Sequence, residues 1–201
     1  MRPIIPRSRN ALCVLLSTTL MYMAANIGIG FLAVWLPVYS DQVLGGGSEL
    51  YGALLGFWAV GEVASTLLVG SLALRLPLGS LITMAQMLAG ATLGILLLGK
   101  QLWWIILGLT LFGFFSATLT IWAQTLRMQI IPEPLRGRTF ALLRTLMQSA
   151  YPLGGAAAGW LLPLLGIPAM IGLSALLVGA PGLAGYPVRE LRQAGAPNLD
   201  Q

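Results

Sequence analysis

The chain has 201 residues, 57% of them hydrophobic and only 8% charged, with a formal net charge of +5 and a mean hydropathy of +0.86. A soluble domain carries about 25% charged residues; a chain with so few cannot cover a water-facing surface, which points to an integral membrane protein. With no His and a single Cys, Cys13, inside an apolar run, the chain cannot build a His-based triad, a zinc site, His-ligated haem or an internal disulfide, and it has no Gly-rich phosphate loop, so neither an enzyme nor an ATP-driven pump is expected, and no metal or cofactor.

Charges and turn residues divide the sequence into six apolar segments, each long enough for the about 17–25 residues that cross the hydrocarbon core as a helix. A basic N-terminal segment, 1–10, carries Arg2, Arg7 and Arg9. The first span, 11–39, outruns the about 7–15 residues of a signal-peptide core and reads as retained. On it Thr18, Tyr22, Asn26 and Gly30 recur every four residues and form one stripe. The turn "DQVLGGGSE" leads to span two, 50–74, which holds Glu62 near its middle with Trp58 and Thr66 four residues to either side. "RLPLG" leads to span three, 80–98, where Thr83, Gln86 and Thr92 are scattered. After "GKQ", span four, 103–131, carries the stripe Ser116, Thr120 and Gln124, with Arg127 near its end. "PEPLRGR" opens span five, 139–163, on which Arg144, Gln148 and Pro152 share a face. "LGIP" precedes span six, 167–186, whose main polar residue is Ser174. The tail, 187–201, has few apolar residues and is expected to be loose. The expected fold class is all-α, a polytopic membrane protein of six transmembrane helices.

The basic residues set the expected orientation. Arg2, Arg7, Arg9, Arg75, Arg127, Arg136, Arg138, Arg144, Arg189 and Arg192 fall on one side of a six-span chain, and Lys100 on the other, near Asp41 and Glu49. The positive-inside rule then places both termini on the cytoplasmic side, and the expected location is the cell inner (plasma) membrane. The positive net charge is read as this asymmetry, with no nucleic-acid partner. Around the turn "IPEPLRGRTFALLRT", 131–145, Pro134 and Glu133 suit the start of a helix, whereas Arg136 and Arg138 oppose its dipole. Lipid phosphates or a facing acidic group are expected to compensate them.

Small-residue pairs, Gly52/Gly56, Gly61/Ser65, Gly90/Gly94 and Gly155/Gly159, read as helix-packing contacts. Trp35, Tyr39, Tyr51, Trp103 and Trp104 read as an interfacial aromatic belt. Polar groups in hydrocarbon are costly unless partnered, and those of spans one, two, four and five predict that these helices line a polar interior while three and six face lipid more. An acidic residue at mid-span costs about 2.5–3.5 kcal/mol. Glu62 is thus either a protonatable site that loads and unloads H⁺ or a structural carboxyl bonded to a neighbouring helix. Tyr22, Asn26, Gln124, Arg144 and Gln148 are transport-path candidates, with interhelical hydrogen bonding as the alternative role for the amides. Arg127 and Arg144 are expected at similar shallow depths, snorkelling to phosphates or, alternatively, forming an anion-attracting or gating pair within reach of Glu62.

Three stretches carry a family resemblance. "GSLALRLPLG", 70–79, resembles the GxLaDrxGr signature of the major facilitator superfamily, although Leu74 stands where the Asp belongs. "IPEPLRGRTFAL", 131–142, is similar to the cytoplasmic turn before the eleventh helix of family exporters, and "SAYPLGGAAAG", 149–159, to the antiporter motif of the other half. Over about residues 10–190 the chain resembles the C-terminal six-helix half of such a transporter, closest in flavour to bacterial drug and siderophore exporters. The resemblance implies two inverted three-helix repeats and a cavity walled by the first, second, fourth and fifth helices. It also implies a cytoplasmic gate in which Arg75, Arg136 and Arg138 take part. The family normally has twelve spans, so a second six-helix half, from this chain or another, would complete the cavity. The expected function is proton-coupled efflux of a small molecule by alternating access, with membrane lipid as the surrounding partner. The alternative is a truncated, non-transporting remnant or a small membrane assembly or regulatory protein.

Overall fold

The computed structural model describes residues 8–71 and 77–195, and every regular element among them is helical. Helix α1, Ser8–Val38, runs into one turn of π-helix, Tyr39–Val43. Helices α2, Gly47–Ser71, and α3, Leu78–Gly94, follow, and a short 3-10 turn, Ile95–Leu97, ends α3. Helix α4 is Leu102–Ile130, α5 is Arg136–Gly185, and α6 is the short Arg189–Arg192. Apolar runs of this length form helices because only a helix satisfies its own backbone groups where no water is present.

The predicted fifth and sixth spans emerge as the two limbs of α5. Its 50 residues are broken at Gly166, where φ is 74° and ψ is 169°, a conformation that suits glycine. A straight helix of that length would reach about 75 Å, far beyond the about 30 Å of a hydrocarbon core. Instead α1 touches both limbs: Gly30 meets Tyr151 and Gly155 of the first, and Gly28 meets Ser174 and Val178 of the second. The chain therefore doubles back at Gly166, with Pro168 just beyond the break. Five helices, α1 to α5, are long and apolar enough to cross a membrane by length and composition.

The helix pairs repeat one geometry. Between α1 and the first limb of α5, a Cβ on Gly154 would collide with Ile27. Between α2 and α4, a Cβ on Gly61 would collide with the Thr110 carbonyl and one on Gly113 with the Trp58 carbonyl. Gly108 of α4 abuts the Thr92 carbonyl of α3, as Gly28 of α1 abuts the Ser174 carbonyl of the second limb. Helix α3 meets the second limb at Gly90 and Gly179. Absent side chains let these backbones approach, which is the main attraction available between helices in lipid. The expected pairs hold in part. Gly61, Ser65 and Gly90 are in contacts, but Gly52, Gly56, Gly94 and Gly159 meet nothing within 4 Å.

Three further expectations change. Trp35 and Tyr39 belong to the core and not to an aromatic belt: Trp35 is fully buried and donates through Nε1 to Ser174 Oγ at 2.9 Å. Trp103, 80% exposed, fits the belt. Helix α3 does not turn more of itself outward than its neighbours. It is the most buried of the long helices, at 56% of its central window, because it packs behind both α4 and the second limb. The tail is not loose over its described part. Leu191 is fully buried, Gly79 N–H donates to Ala194 O at 3.1 Å, and Ser80 Oγ donates to Arg192 O at 3.0 Å. Residues 196–201 lie outside the described residues, as do 1–7 and 72–76.

Candidate functional site

The polar stripes converge. One cavity of roughly 430 Å³ is lined by Tyr22 and Asn26 of α1, Trp58 and Glu62 of α2, Thr120, Gln124 and Arg127 of α4, and Arg144 and Gln148 of the first limb of α5. Helices expected to line the interior do so, and α3 and the second limb contribute only the apolar backing of Ala89 and Val178. A helix repeats its face about every four residues. That repeat brings Tyr22 and Asn26, or Thr120 and Gln124, to one wall.

Each wall is tied to the next. The Tyr22 hydroxyl shares a hydrogen bond with Thr120 Oγ1, joining α1 to α4. Asn26 Nδ2 donates to Met147 O at 2.9 Å, joining α1 to α5. Ser65 and Thr118 hydroxyls lie 2.7 Å apart and join α2 to α4. On α2, Trp58 Nε1 donates to Glu62 Oε1 at 3.0 Å, and the Trp58 ring meets Phe112 edge-on at 5.1 Å. The Glu62 carboxylate is exposed on the open side of the cavity, as are Gln124, Arg144 and Gln148. All six of the predicted path and proton residues, Tyr22, Asn26, Glu62, Gln124, Arg144 and Gln148, thus share one cavity.

Arg127 departs from expectation. It does not snorkel outward: it is 1% exposed, although only three residues from the end of α4. Its guanidinium Cζ sits 5.2 Å from the Tyr22 ring centroid, and Nη2 reaches Thr18 O at 3.5 Å and Met147 Sδ at 3.3 Å. Its Nε has no hydrogen-bond partner. The signal was present in the spacing, because Arg127 follows Gln124 by three residues and continues the α4 stripe inward. The sequence marked Trp58 only as a neighbour of Glu62, and Phe112 carried no signal of its own.

The gate candidates lie elsewhere. Arg136 donates through Nε to Ile131 O at 3.2 Å and through Nη2 to Met128 O at 3.1 Å. It therefore serves the carbonyl end of α4, where a cation is favourable, and this contact, not an acidic residue, compensates its place at the start of α5. Arg138 is exposed. Arg75 lies outside the described residues, together with the rest of 72–76 in the 70–79 stretch.

Two other hollows are larger but chemically plainer. A groove of about 600 Å³ between α1 and the second limb is lined by Leu20, Leu173, Leu176 and other residues with no ionisable group. A hollow of about 850 Å³ lies near the π-helical turn and includes Gln42 and Lys100. Among the described residues no group of three or more His, Cys, Asp or Glu side chains could hold a metal ion.

The family model described as Major Facilitator Superfamily matches residues 7–198. No curated protein matches the chain, and no solved structure does.

Proposed function

The chain belongs to the Major Facilitator Superfamily, and from that premise we propose that it forms the C-terminal half of a secondary transporter that exports a small molecule in exchange for protons. Membership makes it a multi-pass membrane transporter and not an enzyme, with a small-molecule substrate and membrane lipid as partners. The finer reading rests on one observation. The cavity that gathers Tyr22, Asn26, Glu62, Gln124, Arg144 and Gln148 opens on a side where four of them are exposed. A polar wall of this kind in a membrane calls for a facing wall. A second six-helix half, from another copy or a separate chain, supplies it in this reading.

The helix pairing supports two inverted three-helix repeats. If span one corresponds to four, two to five and three to six, the pairing of one with five becomes that of four with two. The Gly28–Ser174 approach becomes the Gly108–Thr92 approach, and both pairs are present. Six crossings, with the limbs of α5 as the fifth and sixth, put ten of the eleven basic residues on the cytoplasmic side of the inner membrane together with both termini. In this arrangement Glu62 carries the proton, and Tyr22, Asn26, Gln124, Arg144 and Gln148 border the path. Arg75, Arg136 and Arg138 lie at the cytoplasmic gate. The likeness of 131–142 and 149–159 to exporter motifs supports the outward direction.

The test is transport in proteoliposomes that contain the chain and its partner half, under an imposed pH gradient. Wild type is expected to move substrate with the gradient, and Glu62→Gln to lose the coupling while still binding. Unchanged coupling in Glu62→Gln removes the proton role. A chain that stays monomeric in mild detergent and moves nothing in any pairing favours the non-transporting alternative.

A further inference from the structure

Among the described residues Arg127 is the one charged side chain that is buried. The transport scheme above gives it no task. A buried cation is strongly destabilising when nothing of opposite charge compensates it. The compensation here is weak. Thr18 O is at 3.5 Å, Met147 offers a thioether, which is a poor acceptor, and Nε is unpartnered. The Tyr22 ring covers the guanidinium face without satisfying its N–H groups.

The charged groups of the cavity are net positive. Arg144 lines the same cavity as a second guanidinium, and Asn26, Gln124 and Gln148 supply amide groups. Glu62 is the cavity's carboxylate, and Trp58 Nε1 already donates to it. Two cations thus face one engaged anion across a space of roughly 430 Å³, the size of a small-ligand site. Arginine's planar fork of donors matches a carboxylate or a phosphate.

We propose that Arg127 anchors a carboxylate or phosphate group of the transported molecule, and that Tyr22, pinned by Thr120, covers this anchor in the present conformation. The proposal rests on the transport reading and adds the substrate's charge class to it. When the Tyr22 hydroxyl leaves Thr120, the ring can swing off the guanidinium and an anion can take its place. Arg144 draws the anion toward the cavity, and the amides hold the rest of the molecule.

The experiment measures binding, so that it stands apart from proton coupling. Calorimetric titrations of the full chain in neutral detergent compare benzoate and phenyl phosphate with benzamide and benzylammonium. The anions are expected to bind at least about tenfold more tightly than benzamide, the scale of a charge-assisted hydrogen bond. Arg127→Gln is expected to erase that preference while circular dichroism and gel filtration remain those of wild type. Tyr22→Ala, which uncovers the guanidinium, is expected to widen the preference for benzoate over benzamide. No anion preference in wild type overturns the proposal, as does a preference that survives in folded Arg127→Gln. Should Arg127→Gln not fold, the wild-type series and Tyr22→Ala decide it. If phosphatidylglycerol binds and neither small anion does, Arg127 is a lipid site and the proposal falls. A failure of proton coupling in Glu62→Gln alters none of these readings.

Discussion

The guanidinium of Arg127 lies over the ring of Tyr22, 5.2 Å from its centroid. The same ring carries the hydroxyl that bonds Thr120. One side chain of α1 thereby holds two positions of α4, about two turns apart, and closes the floor of the cavity.

That double hold is measurable. Tyr22→Phe keeps the ring over Arg127 and removes the bond to Thr120; Thr120→Ala removes the same bond from the other side. Interhelical hydrogen bonds in membranes average about 0.6 kcal/mol and reach about 1.7 kcal/mol. A double-mutant cycle by denaturant unfolding in detergent is expected to give a coupling in that range. Strictly additive losses would show that the hydroxyls do not act on each other.

The glycines divide by contact and not by motif. Gly61→Ala drives a methyl into the Thr110 carbonyl, and Gly154→Ala drives one into Ile27. Each is expected to cost about 1–3 kcal/mol, the range for overpacking, with a lower thermal midpoint. Gly52→Ala and Gly56→Ala meet open space. They are expected to leave the midpoint unchanged or raise it, because alanine favours a helix by about 1 kcal/mol over glycine. Equal losses at Gly52 and Gly61 would contradict the packing described.

Arg136 and Arg138 are two residues apart and are expected to behave differently. Arg136→Gln withdraws the donors from Ile131 O and Met128 O. Hydrogen exchange is expected to quicken over 128–135, for a loss of about 1–2 kcal/mol. Arg138→Gln, from an exposed position, is expected to leave exchange there unchanged.

The orientation can be read chemically. In a Cys13→Ala background, Lys100→Cys and Arg138→Cys place single thiols just before α4 and in the first turn of α5. A membrane-impermeant maleimide is expected to label the first in intact cells and the second only after permeabilisation. Labelling of Arg138→Cys and not of Lys100→Cys in intact cells would reverse the topology argued from the basic residues.

The fold's outline was legible because hydrocarbon forces each apolar run into a helix, and the site's because a helix repeats its face. That repeat is why Asn26, Gln124 and Gln148 could be set on shared faces from spacing, whereas Glu62 stood out as an acidic residue at mid-span. What spacing cannot convey is which neighbour arrives. Trp35 sits near a span end, as a belt tryptophan would, and becomes core only because Ser174 supplies an acceptor across the bundle. Arg127 is near enough to the end of α4 to reach water, and turns inward because Thr18, Tyr22 and Met147 surround it. Leu191 reads as part of a polar tail and is buried because Gly79 leaves room for its backbone. Gly52 and Gly56 have packing spacing but face a side that no helix covers.

The bonds from Arg136 to Met128 and Ile131 splint the corner between α4 and α5. A splinted corner does not flex like a hinge. When the first limb of α5 tilts, α4 is carried with it, so the cavity's floor at Arg127 and its wall at Arg144 and Gln148 travel as one lever. The cluster of arginines that marks the membrane side would then also set which helices move together.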